Sequence, residues 1–144
     1  MSLLIPDEGE VQLLKDLLGA AALENWTLKL YSNNKTPAET DTAASYTEAT
    51  FTGYAAKTLT RDTAGGHWAT PASGAPTGAW SGESNVAEST YAAQSWSPTS
   101  SQAIYGYFVI GATSTKLICA EIFASVKNLV SGDTLTLTPR IGLS

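Results

Sequence analysis

The chain has 144 residues, a formal net charge of −5, a pI near 4.7, and 43% hydrophobic against only 15% charged residues. This is material for one core in one domain of ordinary size, with a charged fraction well below the ~25% usual for soluble proteins. The eight Lys and Arg residues, at 15, 29, 35, 57, 61, 116, 127 and 140, form no cluster, which argues against direct nucleic-acid binding.

The first element is DEGEVQLLKDLLGAAALENW, residues 7–26, a helix signal at the front of a strand-rich chain. Asp7 is placed to cap it with Glu10 three residues on, and Asp7, Glu8 and Glu10 put negative charge at the positive end of the dipole. Val11, Leu14, Leu17 and Leu18 recur at helical spacing on one broad apolar face that Leu13 widens. Gly19 is a natural stop, although Ala20–Leu23 could carry the helix further. That face either lies on the domain's own core or packs on a neighbouring subunit. The expected division is an arm and helix over 1–23 and a single β domain over 24–144.

WTLKLY, residues 26–31, alternates Trp26, Leu28 and Leu30 inward against Thr27, Lys29 and Tyr31 outward, a half-buried strand. SNNKTPAETDTAAS, residues 32–45, is a polar loop long enough to be functional or ordered by a partner. YTEATFTGYAAKTLT, residues 46–60, predicts one long strand, or two broken at Gly53. Trp68 and Trp80 bracket a Gly/Pro/Ser-rich stretch that predicts a surface loop or an irregular hairpin, and Val86, Tyr91 and Trp96 mark a weak strand or strand pair. IYGYFVI, residues 104–110, is apolar on both faces and so predicts a central strand. Residues 116–124 predict a second buried strand, NLVSGD a turn, and TLTLT at 134–138 an alternating strand closed by Pro139. Seven or eight short strands at this spacing predict an all-β fold, an antiparallel β-sandwich of jelly-roll-like form with an N-terminal arm and short helix.

Residues that carry chemistry are few. His67 in GGHW is the one histidine, and no G-x-S-x-G elbow accompanies it. Cys119 is alone, so it can form no internal disulfide and reads as a small buried hydrophobe. A zinc site would have to draw all but two ligands from carboxylates. Glu39, Asp41, Glu48, Glu83 and Glu88 show no spacing that selects a glycosidase pair. A calcium loop and a phosphate-binding Gly loop are both missing; TAGGHW lacks the Lys-Ser/Thr that should follow. No catalytic, metal or cofactor-binding residue is therefore assigned, and the chain reads as a non-enzyme. MSLLIP lacks the basic start and apolar length of a signal peptide, and no apolar run reaches the ~20 residues of a membrane span. The expectation is cytoplasmic synthesis with no membrane partner. Trp68, Trp80 and Trp96 lie near loops, where aromatics serve as sugar-stacking platforms, as interface anchors, or simply as core.

ENWTLKLYSNNKTPAETDTAASYTEATFTGY, residues 24–54, resembles a segment of small virion proteins of tailed bacteriophages, and IYGYFV at 104–109 resembles their later aromatic strand. The resemblance implies a capsid decoration, or cement, protein: a jelly-roll-like homotrimer on the outside of a phage head, with the major capsid protein as its partner. It implies no catalytic residue. Val11, Leu14, Leu17, Leu18, Trp68 and Trp80 are then the candidate interface residues. A receptor- or glycan-binding module of a phage tail or surface appendage is the alternative, carried by the loop-borne tryptophans.

Overall fold

The computed structural model describes residues 3–74 and 86–143. One α-helix, α1 (Asp7–Leu17), precedes nine strands among these residues: β1 (Trp26–Tyr31), β2 (Lys57–Leu59), β3 (Ala72–Gly74), β4 (Val86–Thr90), β5 (Gln94–Trp96), β6 (Gln102–Gly111), β7 (Leu117–Leu129), β8 (Leu135–Leu137) and β9 (Arg140–Leu143), with a short 3-10 turn at Ala43–Ser45. They form a four-stranded sheet in the order β2-β1-β6-β7, a three-stranded sheet β3-β4-β9 and a two-stranded sheet β5-β8. Every strand pairing among them is antiparallel. The fold is all-β with antiparallel sheets, as the strand spacing predicts.

β6 lies between β1 and β7 and is apolar on both sides because both are covered. Tyr107 and Val109 join Leu28, Leu30, Leu59, Ile118, Trp96 and Leu135 in the main core. Phe108 and Ile110 point the other way, into a smaller cluster with Tyr31, Tyr46, Leu117 and Ala120. Tyr31, expected on the solvent side of β1, is therefore fully buried. Its cover comes from Tyr46, just past the polar loop that follows, which stacks on Phe108 at 5.2 Å and leans on Tyr31 at 5.0 Å. That loop is pinned down by Asn33, whose side chain donates to the Ser45 carbonyl and accepts from the Thr47 N–H. Buried Asp41 accepts from the Ala38 N–H and the Tyr46 hydroxyl and pairs with Lys35 at 2.9 Å.

Three stretches depart from the sequence reading. Residues 46–60 give no long strand: Glu48 makes an isolated bridge to Tyr31, Gly53 turns the chain at φ 95°, and only Lys57–Leu59 is strand. A Cβ on Gly53 would sit 2.7 Å from the Ser97 carbonyl, so the break is built in by close approach as well as by φ. β7 runs to Leu129, beyond the expected 124, with an exposed second half paired to the start of β6. β9 follows Pro139 directly and is a strand the sequence reading missed. Trp80, Glu83 and the rest of residues 75–85 lie outside the described residues.

The N-terminal segment docks on β7. Leu4 bridges Ala120 on that strand's outer edge, exchanging two 2.9 Å backbone hydrogen bonds, while Leu3 and Pro6 are buried beneath it. Pro6, extended at φ −75° and ψ 165°, occupies the helix N-cap, and no side chain caps the helix. Asp7 is thus the first helical residue rather than its cap, and the capping box expected with Glu10 does not form. At the other end Gly19 turns at φ 68° and the Ala20 N–H closes on the Lys15 carbonyl, so Ala20–Leu23 do not prolong the helix.

Candidate interaction surface

The helix is seated by its polar side. Gly9 rests directly on β7; a Cβ there would collide with the Ile118 carbonyl and come within 2.9 Å of that of Leu117. One Glu8 carboxylate oxygen accepts the Leu117 N–H at 2.7 Å, and the other accepts from Lys116 at 3.0 Å. Buried Gln12 donates to Asp16, and Asp16 in turn pairs with Arg61 at 2.6 Å. The Arg61 guanidinium lies over the Trp26 ring at 4.7 Å. Gly9, Gln12 and Asp16, at i, i+3 and i+7, are therefore the inward stripe.

The apolar face points out. Val11 is 53% exposed, Leu14 56%, Leu17 80% and Leu18 73%. Sequence periodicity left open whether this face covers the chain's own core; it does not, and of the helix leucines only Leu13 packs against the core. Leu23 and Leu143 are also exposed, and they share with Leu13, Leu17 and Ile141 a groove of about 670 Å³ between α1 and the β4–β9 pair. Within the pair, the cross-strand partners Ala87–Leu143 and Ser89–Ile141 present one sheet face to that groove. With about 100 Å² of apolar area per Leu side chain, the six exposed side chains leave on the order of 400 Å² in water. Leu14 and Leu17 run on into that groove, and apolar patches of a few hundred Å² on folded proteins are often functional.

The other singled-out residues sit elsewhere. Trp68 is buried, edge-on to Trp26 at 5.6 Å and to Tyr91 at 5.1 Å, and takes no part in the exposed patch. Trp96 is buried as well, its indole N–H bonded to the Ala55 carbonyl at 2.7 Å. Neither ring offers a face for a sugar to stack on. His67 is on the surface, its Nδ1 2.6 Å from Asp62 and its ring parallel to Tyr91. Among the described residues no hydroxyl or thiol hydrogen-bonds this imidazole.

Asp41 and Glu48 are each taken up locally, Glu48 by Lys29 at 2.8 Å and by the Tyr54 hydroxyl. Although burial alone would raise it, the Lys35, Ala38 and Tyr46 donors hold the Asp41 carboxyl below its ordinary range. Burial, with Glu121 nearby, pushes the Cys119 thiol up to about 12, so it stays protonated and unreactive at neutral pH. Glu121 is itself buried and accepts from the Tyr107 hydroxyl at 2.7 Å. Among the described residues no three His, Cys, Asp or Glu side chains converge to hold a metal, and no helix is long and apolar enough to cross a membrane.

Sequence reasoning found the outward leucines and missed the seat. The available signal was Gly9, poor in helical propensity yet inside the first turn, followed at the same face by Gln12 and Asp16. Leu23, Leu143 and Arg61 come to the surface only through the tertiary fold. No protein-family model matches the chain, and no curated protein matches it significantly.

Proposed function

We propose that this protein is a structural virion component: a homotrimeric decoration protein that binds the major capsid protein on the outer surface of a tailed-phage head. On this reading the sheets are arranged as a jelly-roll-like sandwich over residues 24–144, and residues 1–23 reach a neighbour. The single observation that carries it is the orientation of α1. A helix that turns Gly, Gln and Asp inward and Val, Leu, Leu and Leu outward has its apolar face prepared for another molecule. The resemblance of residues 24–54 and 104–109 to phage virion proteins supplies the setting. In that setting the protein works by covering surface, and binding to the assembled shell alone stabilises the shell by mass action. The buried Trp68 and Trp96 remove two of the three aromatics that motivate the glycan-binding alternative.

The test is to mix the purified protein with undecorated heads, count bound copies by cryo-microscopy, and heat decorated and bare heads side by side. Saturable occupancy of symmetry-related sites and a raised disruption temperature are expected. Absence of binding at micromolar protein overturns the assignment.

A further inference from the structure

We infer that the occupant of the exposed α1 face is the same helix of a second copy of this chain, packed parallel to it about a rotation axis. The inference deepens the trimer proposed above and rests on that reading only for the number of copies. In heptad notation Val11, Leu14 and Leu18 occupy positions a, d and a, Leu17 and Glu10 lie at g, and Lys15 lies at e. The inward residues Gly9, Gln12 and Asp16 fall at f, b and f, so the body holds the back of the helix and the whole a/d seam is free.

Charge decides the direction. Glu10 and Lys15 are both exposed, and neither has an ion-pair partner among the described residues. They stand five positions apart, too far round the helix to meet each other within one copy. In parallel helices a g residue meets the e residue five positions on in the neighbour, so Glu10 of each copy reaches Lys15 of the next. Antiparallel packing brings g against g and e against e, which leaves both charges unanswered. Parallel helices require cyclic symmetry, the arrangement that closes a ring.

Area points the same way. Val11, Leu14, Leu17 and Leu18 alone leave on the order of 260 Å² of apolar surface in water, over half of the ~450 Å² of apolar area in an ~800 Å² face. Leu17 at g widens the stripe beyond a two-stranded seam, and two neighbours cover it better than one. A seam of barely more than one heptad does not hold alone in water. It works here because each helix is already fixed to its own β7.

The experiment is sedimentation equilibrium of the full-length protein and four variants, with circular dichroism as the check on folding. Wild type should be trimeric at micromolar concentration, and Leu14→Asp monomeric with an unchanged spectrum. Glu10→Lys and Lys15→Glu should each raise the dissociation midpoint several-fold. The double variant Glu10→Lys/Lys15→Glu should return it to within about threefold of wild type, a rescue that separates pairing from mere loss of charge. Direction is read by oxidising Val11→Cys: parallel helices crosslink at a against a, and buried Cys119 does not interfere. A monomeric wild type, failure of the double variant to recover, or crosslinking only when Val11→Cys is mixed with Leu14→Cys, the a-against-d contact of antiparallel helices, overturns the inference. A trimer that ignores phage heads would sink the decoration assignment and leave the helix pairing standing. A monomer that binds them would do the reverse.

Discussion

Gly9→Ala is the sharpest probe of how α1 is held. In a solvent-exposed helix this substitution gains about 1 kcal/mol, because alanine has the better helical propensity. Here the new methyl group would meet the Ile118 and Leu117 carbonyls, which belong to a strand hydrogen-bonded on its other side to β6 and cannot retreat. The helix has to lift instead. Lifting it lengthens the Glu8 bonds to the Leu117 N–H and Lys116, and pulls Asp16 from Arg61. Overpacking of this kind costs about 1–3 kcal/mol, and a weakened hydrogen bond to a buried charged group about 1.5–3 kcal/mol. After the propensity gain the net expectation is a loss of about 3 kcal/mol, with a fall in melting temperature of roughly 10 °C for a chain of this length. Differential scanning calorimetry, with urea unfolding to show that the m value is preserved, measures it. A Gly9→Ala protein as stable as wild type, or more so, would mean that α1 does not sit on β7 as described.

Three further outcomes follow from the buried polar groups. Tyr107→Phe removes the hydroxyl that Glu121 accepts from inside the core, and urea unfolding should show a loss of about 2–3 kcal/mol from the unanswered carboxylate; a loss under 0.5 kcal/mol would mean water replaces it. Asp41 has a lowered pKa in the folded protein, so its contribution is complete above its ordinary value of 3.8 and disappears as pH falls through that value toward the lowered one. Asp41→Asn should be less stable at pH 7 and should flatten the decline in melting temperature below pH 4; an unchanged acid limb would assign that decline to other groups. Cys119 should be silent to a thiol-reactive dye in native buffer at pH 8 and react stoichiometrically in 6 M guanidinium, and fast native labelling would contradict its burial.

The parts of the fold that were legible in the sequence are those whose environment is set by their own residues. WTLKLY alternates and IYGYFVI does not, and those two patterns alone placed β1 as half-buried and β6 as central. Tyr31 was misjudged because its cover arrives from Tyr46, fifteen residues on, just past a loop whose composition reads as solvated. β9 escaped because RIGL has four residues, a glycine, and a proline before it. The helix was legible as a helix and its apolar stripe as a stripe. Which side faced the body was not, since that depends on β7 presenting bare carbonyls and an unpaired edge more than a hundred residues downstream.

That separation orders events during synthesis. Glu8 and Leu117 lie 109 residues apart, and Leu4 must find Ala120. At about 5–20 residues per second, on the order of 10 s passes between translation of the helix and translation of the strand that seats it. An eleven-residue helix without its seat is barely populated in water. Neighbouring nascent chains on one message therefore have no finished ridge to grasp, and the sticky side comes into being only once β7 has been made.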